Sequence, residues 1–547
     1  MTTLYISPTG SGTKDGSSWA NAGTISSLSS CIDKAGPNGE VLLRADQGAY
    51  KVTGQTTIRA GGEAGAPVTI RGVDATGKSM NAQFVGTRAT DWSTGKPEGT
   101  EVFRLLAGAD HLKFQNIAFE NIGNGAFRIG ADIKDLTLEH MQAENVRRFL
   151  EDTISSGYAS ASVDGLTVRD VNIDKFSQNA INLRYDSRNI LIEDVTGHGD
   201  ANTPEKYVQG IALDDTANTV VFRNVTMQGS NARGSNTEYW NGDGFTTESG
   251  NYNIRFENTV ASGNTDAGYD LKSSNTVLIN TIADGNNRNY RFWSTSITME
   301  GGQSQDPHYF GGSASTDHIW LADGAHAKIS GGSILDQNAS VTVFDLWKTG
   351  AILEVNGTTI NTSGKMSGLG SNSQVLMTTT TPHEETPSSS PQPIMGTAGH
   401  DVLTGAAGSD TINGLAGNDT LYGGAGSDRL TGGGGQDVLS GGSGKDTFCF
   451  NATSESGSSK TVDTIKDFVL GEDMIDYSLI DANTKSVGNQ SFVFIGDAKF
   501  SKAAGEMRAF SVNGVTEVQG DVDGDGHVDI CVKLSGTLHL SAQDFIL

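Results

Sequence analysis

Gly423-Gly424-Ala425-Gly426-Ser427-Asp428-Arg429-Leu430 is one turn of a repeat that fixes the fold of the last quarter of the chain. The aspartate returns every nine residues, at Asp401, Asp410, Asp419, Asp428, Asp437 and Asp446, each time after glycines. Two residues beyond it stands an aliphatic: Leu403, Ile412, Leu421, Leu430 and Leu439. A flexible glycine-rich linker has no reason to hold an acid and an aliphatic in one phase over six repeats. The pattern is that of a parallel β-roll wound around Ca²⁺. The aliphatics stack inward, while the carboxylates and the glycine-region carbonyls supply the hard oxygen ligands that Ca²⁺ takes. Binding energy is folding energy in such a module, so it stays unfolded where free calcium is scarce.

This segment resembles the RTX (repeats-in-toxin) calcium-binding module. The resemblance implies a Gram-negative protein exported by a type I secretion apparatus to the extracellular medium. Met1-Thr2-Thr3-Leu4-Tyr5-Ile6-Ser7 has no basic n-region and no apolar h-region, so no cleaved signal peptide is expected. The closing Asp544-Phe545-Ile546-Leu547 resembles the uncleaved C-terminal signal of RTX exoproteins, although a last β-strand has the same look.

The net charge of −26 speaks against a nucleic-acid partner and against acidic membrane surfaces. No apolar run is long enough for a transmembrane segment. Cys31, Cys449 and Cys531 are odd in number and unrelated in spacing, which suits small core residues rather than disulfides or a zinc site. The chain is expected to act as a monomer. Its length exceeds one ordinary core. A Thr/Pro/Ser-rich linker at 377–393 separates an expected first domain, 1–376, from a second, 394–547.

The first domain carries a looser repeat. Leu112-Lys113-Phe114-Gln115-Asn116, Leu136-Thr137-Leu138-Glu139-His140, Leu166-Thr167-Val168-Arg169-Asp170 and their successors at Asp194, Asn224, Asn258 and Asn280 are short strands ending on Asn, Asp or His. A period of 22 to 34 residues without helical pattern matches one coil of a right-handed parallel β-helix, so the fold class is all-β throughout. A β-sandwich would not repeat in a single phase. The corner residues are structural, since their side chains bond turn backbone and one another along the axis.

A second column reads Ala180-Ile181-Asn182-Leu183-Arg184, Gly210-Ile211-Ala212-Leu213-Asp214, Gly244-Phe245-Thr246-Thr247-Glu248, Gly268-Tyr269-Asp270-Leu271-Lys272 and Asn289-Tyr290-Arg291-Phe292-Trp293. Ile181, Ile211, Phe245, Tyr269 and Tyr290 take the inward place. Alternation then faces Asn182, Ala212, Thr246, Asp270 and Arg291 outward in one row, and Arg184, Asp214, Glu248, Lys272 and Trp293 in the next. Coils lie about 4.8 Å apart, so Asp270, Lys272, Arg291 and Trp293 share one patch of surface.

Asp243-Gly244-Phe245 and Asn264-Thr265-Asp266-Ala267-Gly268-Tyr269-Asp270-Leu271, with the opening Leu4-Tyr5-Ile6-Ser7-Pro8-Thr9-Gly10-Ser11, resemble the pectate lyases of polysaccharide lyase family nine. In that family four aspartates hold a catalytic calcium. Three correspond to Asp243, Asp266 and Asp270; the fourth falls on Ala267, and the catalytic lysine falls in the column of Arg291. The resemblance implies a secreted lyase that cleaves an acidic, uronate-containing polysaccharide by calcium-assisted β-elimination. A cation on the uronate carboxylate acidifies the C5 proton, a base removes it, and the C4 oxygen leaves. Lys272 can be the base if its pKa is depressed. Arg291 is nearly always protonated and suits a carboxylate clamp, although some β-helix lyases are assigned an arginine base. Both stay candidates, Lys272 slightly ahead. Arg288 and Trp293 are read as substrate-binding, a cation for a uronate and a flat face for a sugar ring, with Glu248 and Arg184 beside them.

Mannuronan C5-epimerases also join a β-helix to RTX repeats. Asp306-Pro307-His308-Tyr309 is similar to their Asp-Pro-His-Glu motif but departs at its last residue, and we read it as coincidence. A polyuronate glycoside hydrolase needs paired carboxylates, for which Asp214-Asp215 is the close outward pair. A secreted biofilm adhesin is the non-enzymatic alternative. Asp521, Asp523, Asp525 and Asp529 begin like an EF-hand loop, with Val532 where the bidentate glutamate would stand, and are read as an isolated Ca²⁺ loop.

Overall fold

In a computed structural model the chain divides into two compact units, Met1–Thr380 and Thr381–Leu547. The structure describes residues 2–547 apart from 90–98, 202, 204, 206, 233–238, 312, 337, 347–348, 363, 379–392, 397–398, 400, 406–408, 458–461, 487 and 513–514. Most of the expected linker therefore lies outside the described residues.

The first unit is a parallel β-helix with three strands per coil. Strands Leu112–Ile122, Ile133–Val146, Val163–Phe176, Arg188–Gly199 and Asn218–Gln228 are long because each bends through a corner and serves two faces. The bend falls on Asn116, His140, Asp170, Asp194 and Asn224, whose φ values lie between 52° and 55°. Left-handed backbone is costly for most L-residues and is tolerated best by Asn, Asp and Gly. In later coils the strand breaks at that point, giving Tyr252–Glu257 with Val260–Ser262 and Ser274–Ile279 with Ile282–Asp284, around Asn258 and Asn280.

The corner side chains form the expected ladder. Asn224 Nδ2 donates to Asp194 Oδ1 at 3.0 Å, Asn258 to Asn224 at 3.3 Å and Asn280 to Asn258 at 3.3 Å. Inside, Leu112, Leu136, Leu166, Ile190, Val220 and Ile254 stand in register and are buried. Helix Leu28–Ala35 packs Leu28, Cys31 and Ile32 into the same core.

The third face is a separate sheet of twelve strands from Thr56–Ile58 to Lys365–Leu369. Its inward row contains Ile181, Ile211, Phe245, Tyr269 and Tyr290, and the last three rings stack at 5.1 Å centroid spacing. Buried hydroxyls need partners: Tyr290 donates to Gln303 O at 2.8 Å and Tyr269 to Thr259 O at 2.8 Å.

In the second unit each coil has two nine-residue halves on opposite sheets. Strands Val402–Thr404, Thr420–Ala425, Val438–Ser443 and Asp463–Ile465 pair in parallel on one, and Pro393–Met395, Thr411–Asn413, Arg429–Thr431, Thr447–Cys449 and Met474–Asp476 on the other. Ile412, Leu421, Leu430, Leu439 and Phe448 fill the centre with no exposed surface. An antiparallel meander, Glu506–Val512, Val515–Asp521 and Ile530–Ser535, extends the first sheet. The closing Phe545–Ile546 pairs with Met474–Asp476 as a last strand. The three cysteines are buried and free.

Candidate functional site

On the twelve-stranded sheet the expected outward row stands in register: Asn182, Ala212, Thr246, Asp270, Arg291, then Trp320. It differs from expectation in exposure. Asp270 is only 4% exposed, and Asn182, Ala212 and Thr246 are buried. Long neighbouring side chains lie over the row, so it forms the floor of the site rather than a surface patch.

The site is layered. At the bottom are Asp243 and Asp266, with no exposed surface. Asp243 Oδ1 accepts from Ala267 N at 2.9 Å, while its Oδ2 is buried without a hydrogen-bond partner among the described residues. Burial and the nearby Asp266 and Asp270 carboxylates push the Asp243 pKa well above its ordinary value. Above them lie two guanidinium groups. Arg288 Nη1 donates to Asp266 Oδ1 at 3.0 Å, and its Nε stands 3.6 Å from Asp317 Oδ2. Arg291 Nη1 is 3.5 Å from Asp266 Oδ2 and 3.5 Å from Asp270 Oδ2.

Aromatic residues close the top. Trp293 Nε1 donates to Asp270 Oδ1 at 2.6 Å, and the Arg291 guanidinium lies 4.5 Å from the Trp293 ring centroid and 5.1 Å from that of Trp320. Such stacking suits a planar guanidinium. The Tyr239 hydroxyl donates to Asp266 and accepts from Arg291 Nη1 at 2.6 Å. Burial and the Asp266 charge raise the Tyr239 pKa, so the phenol stays protonated.

Lys272 stands at the rim, its side chain 26% exposed, donating to Glu248 Oε1 at 2.6 Å and lying 3.9 Å from Asp270 Oδ2. Burial presses its pKa down, but the Asp270 and Glu248 carboxylates outweigh this and hold it above the ordinary lysine value. The depression expected for a resting base is absent. Burial likewise pulls on Arg291, and Asp270, Tyr239 and Asp266 more than restore it, so this guanidinium stays charged. Arg184 turns to Asp214, Nε to Oδ2 at 3.2 Å, a few coils away. Asp214 is thus engaged in an ion pair, and Asp215 Oδ2 accepts from Tyr185 N. Asp306 and His308 follow strand Gln303–Gln305 of the other sheet, outside the row. His198 pairs with Asp174 at 3.3 Å.

The residues of this site do not fit a calcium ion as they stand. Ca²⁺ takes six to eight oxygens, and five of the six carboxylate oxygens of Asp243, Asp266 and Asp270 already face protein donors. Ala267 adds none. Among the described residues only Asp521, Asp523 and Asp525 form a group of three whose ligand oxygens lie within 4.8 Å of one another. Asp529 lies outside that group and accepts from Val522 N at 2.8 Å.

In the roll the residues do fit calcium. Each aspartate Oδ1 accepts from the backbone N–H of the aspartate one coil earlier: Asp419 from Asp401, Asp428 from Asp410, Asp437 from Asp419 and Asp446 from Asp428, at 2.7 to 2.9 Å. This leaves Oδ2 pointing into the glycine turn. In Asp428 and Asp446 that oxygen is buried without a hydrogen-bond partner among the described residues. Burial and neighbouring aspartates push both carboxyls up to about 6. The ladder continues where the nine-residue spacing stops. Asp463 Oδ1 accepts from Asp437 N at 2.8 Å and Asp473 Oδ1 from Asp446 N at 3.0 Å. The Asp463-Thr464-Ile465 and Asp473-Met474-Ile475 triplets carry the acid–aliphatic spacing that would have revealed them.

Residues 399–547 match the family model described as Peptidase M10 serralysin C terminal, an RTX-type calcium-binding domain. Among solved structures, the chain is similar to the pectate lyase Pel9A, with 18% identity, 64% of this chain and 80% of that one covered, and a TM-score of 0.43. It is also similar to the A-module of the Azotobacter vinelandii mannuronan C-5 epimerase AlgE6, with 12% identity, 65% and 95% covered, and a TM-score of 0.39. The R3 subunit of AlgE6 from the same organism matches at 32% identity over 28% of this chain and 80% of that one, with a TM-score of 0.22. No curated protein sequence gives a significant match.

Proposed function

We propose that the chain is an enzyme exported by type I secretion that cleaves a uronate-containing polysaccharide by β-elimination. The observation that carries this reading is the meeting of Lys272 and Arg291 with Asp270, under the Trp293 ring, on adjacent coils. A uronate unit offers a flat sugar ring, a carboxylate at C5 and an acidic proton on the same carbon. Trp293 supplies a face for the ring. Arg291, fixed in its charged form and planar, binds the carboxylate and lowers the cost of negative charge developing at C5.

Lys272 is the accessible nitrogen next to that clamp. In its neutral form it takes the C5 proton; the electron pair of the C–H bond forms the C4–C5 double bond, and the C4–O bond breaks. The proton returns from lysine to the leaving oxygen or to solvent. Because Asp270 and Glu248 hold Lys272 protonated, only a small fraction is ready at neutral pH, and alkaline conditions favour turnover. Glu248 occupies the rim beside Lys272, while Arg288 braces Asp266 and Arg184 lies further along the sheet. The roll binds calcium and folds outside the cell, where calcium is plentiful. Lys272→Ala tests the assignment: kcat should fall ~10²–10⁴-fold with little change in KM. Unchanged kcat would remove Lys272 from the mechanism.

A further inference from the structure

We infer that the β-helix site works without a metal ion, and that Arg288 and Arg291 together supply the positive charge a bound divalent cation would bring. The inference concerns the same site as the proposed lyase and rests on that reading only for its catalytic consequence.

Three observations carry it. The first is position. Arg291 Nη1 lies between Asp266 and Asp270, 3.5 Å from an oxygen of each, where an ion bridging the two carboxylates would sit. The second is occupancy. Asp266 gives one oxygen to Arg288 and the other to Tyr239 and Arg291, and Asp270 gives one to Trp293 and the other to Arg291. Of the six carboxylate oxygens only Asp243 Oδ2 lacks a hydrogen-bond partner among the described residues, and one oxygen does not hold Ca²⁺. The third is packing. The side chains of Arg288 and Arg291 are 8% and 13% exposed and packed against Trp320 and Trp293, so moving either aside to admit an ion would break these contacts.

The charge balance agrees. Two guanidinium groups carry the charge of one divalent ion. A guanidinium adds what a spherical ion lacks, a directional fork for a carboxylate. Arg291 Nε is buried and has no hydrogen-bond partner among the described residues.

The test counts calcium in the full-length protein, equilibrated in buffered calcium and measured by atomic emission. Asp270→Asn should bind as many ions per chain as the parent, while Asp428→Asn, in the roll, should bind fewer. Loss of one ion in Asp270→Asn, with the β circular dichroism intact, overturns the inference. Terbium gives a second readout independent of that variant. All six tryptophans precede the roll, and Trp293 touches Asp270, so an ion held there would show emission sensitised through Trp293. The expected result is equal tryptophan-sensitised emission from the parent and from Trp293→Phe; a Trp293-dependent signal contradicts the inference. Both readouts report metal whether or not polysaccharide is cleaved. Failure of the lyase reading and failure of this one are therefore separate results.

Discussion

Asp270 and Arg291 face one another across adjacent coils, with Arg291 Nη1 3.5 Å from Asp270 Oδ2. Asp270 also meets Lys272 and Trp293, so one buried carboxylate contacts the three side chains proposed as clamp, base and sugar platform. Removing one partner of a buried pair leaves an uncompensated charge. Substitutions here therefore act on stability as well as on chemistry, and conservative changes are the informative ones.

Arg291→Lys keeps the charge but loses the planar fork and the stacking on Trp293 and Trp320. It should lower kcat/KM by about tenfold or more, since a bidentate clamp is not replaced by a point charge. The variant should remain folded by circular dichroism. Parental kcat/KM in this variant would show that Arg291 does not grip the carboxylate.

The raised Lys272 pKa sets a pH profile. A base must be neutral, and Asp270 and Glu248 keep this one protonated beyond the ordinary lysine range. Measured kcat should climb through the alkaline range without levelling off below about pH 10. Glu248→Gln removes one of the two carboxylates and should move the rising limb to lower pH. A profile already flat at neutrality would contradict the assignment.

Asp152 offers a stability test away from the chemistry. It has no exposed surface, accepts from Arg184 N at 2.7 Å and from Ser187 Oγ at 2.7 Å, and burial outweighs these bonds to push its pKa to about 7. A carboxyl raised in the folded state favours folding below its unfolded pKa and loses that contribution as pH rises through the folded value. Asp152→Asn should therefore stabilise the protein at about pH 8, by at most ~4 kcal/mol, and have little effect at about pH 4. Thermal melts at both pH values check this; an equal effect at both would contradict it.

For the roll, the fragment 394–547 should lose its β circular dichroism in EDTA and regain it in millimolar calcium. The buried, cation-seeking Oδ2 atoms of Asp428 and Asp446 lead to this expectation. A fragment that keeps its full β signal in EDTA would rule it out.

Much of this architecture is legible in the sequence because parallel coils repeat their chemistry. The outward row from Asn182 to Arg291 can be written from alternation alone and stands in the predicted register. The corner positions announce themselves because left-handed backbone selects Asn, Asp and His there. What remains hidden does not repeat. Tyr239 approaches the site from outside the strand pattern, two residues before strand Asn241–Thr247, and no spacing rule brings its hydroxyl to Arg291. Trp320 belongs to the row one coil beyond Arg291. Alternation would have reached it had the column been followed past Trp293. Asp463 and Asp473 continue the calcium ladder, but longer loops before them break the nine-residue phase. The closure of the Asp243–Asp266–Asp270 cluster by two guanidinium groups depends on side-chain directions, and a motif comparison sees only residue types.

The central claim is cleavage by elimination, and the product tests it most directly. The full-length protein, folded in calcium, is incubated with a panel of polyuronates while the ultraviolet absorbance of the 4,5-unsaturated uronate is followed alongside new reducing ends. The account predicts that both rise together on at least one uronate polymer, and that Lys272→Ala suppresses both. New reducing ends without the absorbance would mean hydrolysis, and an altered uronate ratio by NMR with neither signal would mean epimerisation; either result would contradict the account.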